Sequence, residues 1–235
     1  LTLASNVGMA WRAPHVYELF SNGNELSSGM FVRGDSTLRS EQSYKWVTSL
    51  SYSNSWVRAR VDGYVQWINH YIYDYPTRKN VVVVSGAYPV FQYVQTNALF
   101  RGVDVDVHLY PLHTLDYRVY GSWIWANEQR TKAYLPYIPS FKFTQQLTWT
   151  PSFRGVWQPS VGIEHRYVAK QRRFNAATDL TDDTPAAYHL VGFNCGVTWK
   201  MPHHQQLSLL FEGTNVLNQL YKEYTNRSRY YAHDL

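Results

Sequence analysis

The sequence predicts an all-β protein, an antiparallel β-barrel that crosses a membrane with its strands. Three observations lead there: polar and apolar residues alternate along several segments, the connections alternate between short and long, and aromatic residues flank the short ones. No stretch of the 235 residues approaches the roughly 18–20 consecutive apolar residues that a spanning helix needs. A barrel strand needs only about 9–11 residues, with apolar side chains on alternate positions.

The alternation has a period of two residues, which is the period of a strand with one polar and one apolar face. From Val57 to Trp67 the odd positions are apolar or small, and the intervening positions are mostly polar. The segments 103–109 and 191–199 show the same pattern. Because a soluble antiparallel sheet also has two such faces, the alternation alone does not separate a membrane barrel from a soluble sheet.

The connections do separate them. Nine strands are predicted, at residues 1–11, 43–52, 56–71, 97–110, 115–126, 141–150, 157–168, 188–199 and 206–216. The short connections are residues 53–55, 111–114, 151–156 and 200–205, and the long ones are 12–42, 72–96, 127–140 and 169–187, with a last long segment from 217. Tight turns at one end and long loops at the other are typical of outer-membrane barrels.

Aromatic residues support the membrane interpretation. Tyr52 and Trp56 flank the first short connection, and Trp149 and Trp157 flank the third. Amphipathic rings at the tight-turn ends are expected in an interfacial girdle. Nine strands would leave an open sheet edge, whose unpaired backbone groups are costly in hydrocarbon. We therefore expect this chain to be part of a larger barrel, with the remaining strands outside it.

Composition argues against several other classes of function. The net charge is +5, but the basic residues are scattered along the chain and form no cluster, so a nucleic-acid partner is not expected. Cys195 is the only cysteine, which excludes an internal disulfide, and no catalytic or phosphate-binding motif is present. Asp104 and Asp106 alternate with valines, so they are expected to face the lumen and pair with arginines. The prediction is a non-enzyme with no metal site and no cofactor.

Three segments carry a resemblance to one family. Residues 11–20 read WRAPHVYELF, residues 34–41 read GDSTLRSE, and residues 215–221 read NVLNQLY. In order and at predicted strand ends, they resemble the "F/Y-R-A-P…ELY/F", "G-N-P-x-L-x-P-E" and "N-L-F-D-x-x-Y" segments of TonB-dependent receptors. In the second segment, Ser36-Thr37 and Ser40 stand where the family commonly has proline at the first and last of these positions, which weakens any subfamily assignment.

The resemblance implies much more than the pattern does. It implies the C-terminal portion of a barrel of about 22 strands, spanning residues 1–235 as one domain, with the N-terminal plug and the last strand absent from this chain. It also implies a bacterial outer-membrane location, with lipid and lipopolysaccharide around the barrel. The plug would couple transport to the TonB complex, and the transported solute would be a small-molecule chelate, with a ferric siderophore as first choice.

Substrate-binding residues are expected in the long loops, because Arg and Tyr suit anionic, aromatic ligands through charge-assisted hydrogen bonds and stacking. The candidates are Arg12, His15, Tyr17, Phe20, Arg33, Arg227, Arg229, Tyr230 and Tyr231. The pair His203-His204 falls in a short connection and is expected to be solvated. Lys170, Arg172 and Arg173, with Arg166, are alternative contacts for lipopolysaccharide phosphates.

Several functions stay open at this point. The solute could instead be haem, cobalamin, or a glycan or peptide. A barrel that binds a partner at the cell surface and transports nothing is a rival of another class. A soluble β-sandwich is a third possibility, and it predicts that the valines at 57, 61, 105 and 197 and Trp199 are buried against protein.

Overall fold

The computed structural model describes residues 1–152, 157–201, 205–230 and 233. Eleven strands are present: β1 (Thr2–Arg12), β2 (Asn22–Glu25), β3 (Met30–Arg33), β4 (Glu41–Ser53), β5 (Val57–Val83), β6 (Gly86–Leu112), β7 (Leu115–Glu128), β8 (Lys142–Trp149), β9 (Trp157–Val168), β10 (Tyr188–Lys200) and β11 (Gln206–Gly213). The nine long ones form one antiparallel sheet in the order β1-β4-β5-β6-β7-β8-β9-β10-β11. The predicted all-β architecture and its nine strands are confirmed.

One predicted connection is wrong. Residues 72–96 were expected to be a long irregular loop, but β5 and β6 remain paired as far as Val83 and Gly86. Each strand is therefore 27 residues long, and their far halves form a hairpin extension, residues 69–97, beyond the rest of the sheet. Two register shifts interrupt the pairing, and Gly86 has a φ of +136°, which only glycine adopts readily.

The first long connection is also more ordered than expected. It contains a five-residue helix, α1 (Val16–Phe20), followed by the hairpin of β2 and β3. Strand β3 pairs in parallel with β6 from Phe31 opposite Val90 to Arg33 opposite Gln92. This pairing fixes the connection against the hairpin extension. At the far end of the sheet, β11 ends at Gly213, three residues before the predicted limit.

The short connections lie at one end of the sheet, called the short-turn end, and the long ones lie at the opposite loop end. In the turn after β4, the side chain of Asn54 accepts hydrogen bonds from the backbone N–H groups of Trp56 and Val57 at 2.8 and 2.7 Å. The third and fourth short connections include residues 153–156 and 202–204. These residues, with His203 and His204 among them, lie outside the described ranges.

The polar face of the sheet is held by cross-strand pairs. Arg118 donates two hydrogen bonds to Asp106, at 2.9 and 2.7 Å, across β7 and β6. Asp104 accepts instead from the hydroxyl of Ser122, at 2.5 Å. The predicted pairing with an arginine is therefore confirmed for Asp106 and replaced by a serine contact for Asp104.

The opposite, apolar face is not covered by any of the residues that the structure describes. Val61, Leu147, Ile163 and Phe211 are 38, 40, 53 and 65% exposed. A β-sandwich would bury such residues against a second sheet. Of the five residues that the sandwich interpretation expects to be buried, Val61 is exposed and the valines at 57, 105 and 197 and Trp199 are half-buried. The described residues therefore do not support a sandwich.

A line of polar side chains crosses this apolar face from β7 to β10. Tyr117 donates to the carbonyl oxygen of Gln145 at 2.7 Å, and the amide nitrogen of Gln145 lies 3.0 Å from Nδ1 of His165. Nε2 of His165 lies 3.0 Å from Nδ1 of His189. An amide nitrogen only donates, so each group in the line donates to the next. The polar side chains on the apolar face thus form their hydrogen bonds with one another.

The buried apolar residues of the described chain lie at the loop end, away from the middle of the sheet. One cluster joins Ala98 and Ala126 of the sheet to Leu135 and Ile138 of the connection after β7. A second cluster joins Met30 and Val32 to Phe91. Among the described residues, no helix is both long and apolar enough to cross a bilayer. These two clusters of described residues therefore hold the long connections together.

Candidate functional site

The candidate site is the set of long connections, named here the loop layer: residues 13–40, the hairpin extension 69–97, and residues 129–141, 169–187 and 214–230. Contacts between residues far apart in sequence join these segments. Arg227 pairs with Asp74, 153 residues away, and Arg78 pairs with Asp182, 104 residues away. Lys142, at the start of β8, pairs with Glu223 at 2.8 Å. The loop layer is therefore one connected structure that spans the sheet.

Arg12 joins the two ends of the first connection. Its guanidinium lies 2.8 Å from Glu18 of α1 and 2.8 Å from Glu41 at the start of β4. Glu18 also accepts a hydrogen bond from the backbone N–H of His15, at 2.7 Å. The arginine and glutamate of the WRAPHVYELF segment therefore contact each other and fix α1 above β1.

His15, Tyr17 and Phe20 are exposed side by side around α1. The His15 and Tyr17 rings stack, with centroids 5.3 Å apart and planes at 8°. Tyr17 is 56% exposed and Phe20 66% exposed. Tyr17 also lines a cleft of about 380 Å³ with Tyr93 of the hairpin extension. The structure brings these three predicted residues together on an open aromatic surface.

Arg227 is placed inside the loop layer. It donates to Asp74 at 2.6 Å, lies 3.7 Å from Glu25, and covers the ring of Tyr137 at 5.5 Å. Asp74 is only 3% exposed. The guanidinium of Arg227 is therefore engaged in joining the last segment to the hairpin extension.

Arg229 and Tyr230 form a buried cluster with Asp179. Arg229 donates to Asp179 at 2.5 Å and Tyr230 donates to it at 3.1 Å, and both charged side chains are 2% exposed. The guanidinium also faces the ring of Tyr224 at 4.4 Å. Burial raises the pKa of Tyr224 to about 12, so the phenol stays neutral. Tyr231, predicted beside them, lies outside the described residues.

Arg33 lines an open cleft of the loop layer, with a volume of about 810 Å³. Its guanidinium lies 5.7 Å from the centre of the Phe31 ring. Three basic residues and one acidic residue line this cleft, so its charge is positive. The polar and charged residues that we name as the basic cleft are Arg33, Tyr75, Arg78, Lys79, Gln92 and Asp182.

Sequence reasoning missed most of the basic cleft, because residues 72–96 were treated as featureless. Arg78 donates to Asp182 and to the carbonyl oxygen of Ala176, both at 2.8 Å, and thereby ties the hairpin extension to residues 169–187. The run of four valines at 81–84 followed by Ser85-Gly86 was an available signal, since β-branched residues and a glycine turn favour a hairpin.

Metal ligation finds no support in the described part of the chain. No group of three or more His, Cys, Asp or Glu side chains there is placed to hold a metal ion. His233 is exposed. The groups that the loop layer does expose include the basic and aromatic side chains described above.

The family model "TonB dependent receptor-like, beta-barrel" matches residues 1–216. The chain belongs to this family. The resemblance carried by the three sequence segments is thus confirmed at family level. No curated protein sequence gives a significant match.

Solved structures of related barrels share the fold. The copper transporter OprC superposes with a TM-score of 0.71 at 20% identity, over 95% of this chain and 33% of that one. The siderophore receptor PirA from Acinetobacter baumannii gives 0.64 at 16%, over 99% and 37%. The ferric enterobactin receptor PfeA from Pseudomonas aeruginosa gives 0.64 at 17%, over 93% and 33%. This TonB-dependent receptor chain thus spans about a third of each neighbour.

Proposed function

We propose that this barrel segment belongs to an outer-membrane receptor that binds an anionic metal chelate, with a ferric siderophore first, and imports it. The basic cleft is the observation that carries the proposal. It lies at the loop end, opposite the tight turns, where outer-membrane barrels meet the outside medium. Family membership supports import, with a plug and the TonB complex as partners of the whole receptor.

The residues of the basic cleft have distinct roles in this proposal. Arg33 and Lys79 reach the cleft from β3 and β5 and supply positive charge to the ligand. Arg78 is held by Asp182 and so positions the wall of the cleft. The exposed aromatic surface of His15, Tyr17 and Phe20 offers stacking to aromatic chelating groups. Arg12, Arg227, Arg229 and Tyr230 support binding indirectly, by holding the loop layer in shape.

The neighbours' printed functions fit this class of ligand. One is a siderophore receptor and another a ferric enterobactin receptor, while a third is a copper transporter. We propose the iron chelate over haem and cobalamin because the basic cleft combines cationic side chains with an open form. No catalytic step is proposed, because the described loop layer offers only binding contacts.

Charge removal in the basic cleft tests the ligand class. In the full-length receptor, the double variant Arg33→Gln/Lys79→Gln should weaken binding of an anionic ferric catecholate by at least about 100-fold, since each charge-assisted hydrogen bond contributes about 1.5–3 kcal/mol and the variant removes two. Binding is measured by fluorescence quenching or calorimetry in detergent. Exposed Arg130 and Lys132 lie in another connection, so Arg130→Gln/Lys132→Gln is the matched control and should bind normally.

An uptake experiment with the same receptor distinguishes import from binding at the cell surface. Cells carrying it should accumulate radioactive iron from the catecholate, and accumulation should stop when the proton-motive force is dissipated. Binding without accumulation would favour the non-transporting barrel. Unchanged catecholate affinity in Arg33→Gln/Lys79→Gln would refute the basic cleft as the site, and preferential binding of haem or cobalamin would replace the proposed ligand.

A further inference from the structure

A second cleft of the loop layer opens beside helix α1, between α1, the β2–β3 hairpin and the hairpin extension. It has a volume of about 380 Å³, and ligand pockets typically enclose roughly 300–1,000 Å³. The side chains that we name as the tyrosine cleft are Tyr17, Ser21, Asn22, Asn24, Glu25 and Tyr93. None of the described lining residues is basic, so this cleft differs in charge from the basic cleft.

The tyrosine cleft and the basic cleft lie on opposite faces of the same two strands. Val32 of β3 and Tyr93 of β6 line the tyrosine cleft, whereas their chain neighbours Arg33 and Gln92 line the basic cleft. Side chains of successive strand residues point to opposite faces. The two clefts are therefore separate sites, and a ligand of one does not have to resemble a ligand of the other.

Two tyrosine rings form a corner of the tyrosine cleft. The rings of Tyr17 and Tyr93 have centroids 6.0 Å apart and planes at 63°, so two aromatic surfaces meet at a wide angle. Burial raises the pKa of Tyr93 to about 12, so its phenol is neutral near pH 7 and is able to donate a hydrogen bond. Each tyrosine thus offers an apolar ring and a polar hydroxyl to one ligand.

Asn24 has an unused acceptor at the wall of the cleft. Its amide nitrogen donates to the hydroxyl of Ser85 at 3.1 Å, which holds Asn24 against the tip of the hairpin extension. Its carbonyl oxygen is buried and has no hydrogen-bond partner among the described residues. A buried acceptor without a partner is costly. This oxygen therefore favours a ligand that brings a donor.

The carboxylate of Glu25 is already engaged with protein groups. It accepts from the hydroxyl of Ser28 at 2.6 Å and lies 3.7 Å from the guanidinium of Arg227. Arg227 reduces the attraction of this carboxylate for a cation, while its remaining lone pairs stay available to ligand hydroxyls. Because Glu25 is the only charged residue of the described lining, the cleft favours a neutral ligand.

We propose that the tyrosine cleft binds a neutral sugar ring, in a site separate from that of the chelate. The C–H groups of the sugar pack on the rings of Tyr17 and Tyr93. Its hydroxyls donate to Asn24 and Glu25, and they accept from the Asn22 amide and the Tyr93 phenol. A sugar ring has C–H groups on its faces and hydroxyls, each a donor and an acceptor, around its edge. An anion would find no cation in this lining, and a purely apolar ligand would leave Asn24 without a donor.

Sugar binding is measured on the full-length receptor by titrations with saturation-transfer NMR, in a detergent without a sugar head group. The probes are methyl glucoside, methyl galactoside and methyl mannoside. At least one should bind with a dissociation constant near or below about 1 mM. Asn22→Ala/Tyr93→Phe should weaken that binding by about 5- to 150-fold, because it removes two hydrogen bonds of about 0.5–1.5 kcal/mol each.

Asn6→Ala/Tyr88→Phe is the matched control, because it removes the same two groups from outside the cleft. It should bind sugar as the wild type does, and both double variants should keep the wild-type melting temperature. Asn22 is exposed, so Asn22→Ala alone repeats the test without touching the ring of Tyr93. Competition between the free glycoside and a polysaccharide that ends in the same sugar shows whether the ligand is a solute or a glycan end, and displacement by either supports the site.

The outcomes separate this inference from the proposed function. Arg33→Gln/Lys79→Gln should lose catecholate affinity and keep sugar affinity, and Asn22→Ala/Tyr93→Phe should do the reverse. If none of the three glycosides binds, or if Asn22→Ala/Tyr93→Phe binds them unchanged, the sugar site is wrong and chelate binding is untouched. Tighter binding of tetramethylammonium than of any glycoside would also overturn the proposal, because it would assign a cation site at Glu25.

Discussion

Val105→Arg should destabilise the folded barrel by about 2–4 kcal/mol, because arginine on the lipid face of a barrel costs that much near the bilayer midplane. Val105 is the central residue of the stretch of β6 that pairs with β7, from Ala98 to Leu112. Its cross-strand neighbour on β5 is Val61, which is 38% exposed. An arginine there would have to leave the hydrocarbon or remain unsatisfied within it.

Ser122→Arg is the matched control. Ser122 stands opposite Asp104, one residue along from Val105 on the ladder, so it lies at nearly the same depth on the polar face. Its hydroxyl already contacts Asp104, and an arginine there can pair with that carboxylate. We expect a change within about 0.5 kcal/mol, typical of surface substitutions.

The measurement is the free energy of unfolding of the full-length receptor, from urea titrations in lipid vesicles. The expected result is a large loss for Val105→Arg beside a small one for Ser122→Arg. Equal costs at the two positions would mean that the two faces meet similar surroundings, and the membrane assignment would then fail. Equal costs measured only in detergent would not contradict the membrane assignment, because a micelle adapts to a charge more easily than a bilayer does.

The strands could be predicted from the sequence because each crosses two different environments. Val57 to Trp67 alternates since one face is polar and the other apolar, and the same physics holds in every long strand of the sheet. In the segments that extend beyond the sheet, the chain no longer has one polar and one apolar face. The hairpin extension lies among other loops, so its residues follow packing contacts such as those of Phe91 and obey no simple period.

The sequence indicated which residue types the loops carry, but only partly which of those residues lie next to each other. The binding role expected for arginine and tyrosine in the loops stays a prediction, and the structure adds that Arg33 lines the basic cleft. Nothing local, however, shows that Arg227 meets Asp74 or that Arg229 meets Asp179, since these partners lie 153 and 50 residues away. Pairing across such separations depends on the order of strands in the sheet, which places the loops beside each other.

Arg229→Leu should loosen the loop layer by about 3–5 kcal/mol, the loss typical of removing one partner from a buried ion pair. Arg229 and Asp179 are each 2% exposed, so the substitution leaves a carboxylate without its counter-ion in a place that water does not reach. Tyr230 would remain as a neutral donor to Asp179. The change should open the loops locally, because the sheet keeps its own backbone pairing.

Hydrogen exchange of the full-length receptor measures this opening. Residues 169–187 and 214–230 should lose protection in Arg229→Leu, while the β6–β7 ladder should keep it. Arg78→Leu breaks an ion pair with Asp182 whose side chains are 48 and 87% exposed, and it should change protection by no more than about 1 kcal/mol. This variant shows whether burial, and not charge pairing as such, determines the loss.

The double variant Arg229→Leu/Asp179→Leu shows whether the loss of protection comes from the unpaired carboxylate or from the lost packing of the Arg229 side chain. If the unpaired carboxylate causes the loss, removing it as well should restore much of the protection, because two apolar side chains can replace a buried pair at little cost. If the double variant is as loose as the single one, the guanidinium acts through its contact with the Tyr224 ring. Ligand binding in the basic cleft should weaken in Arg229→Leu as the loops open, since Arg78 holds the wall of the cleft to residues 169–187. In the double variant, binding should recover only as far as the protection does.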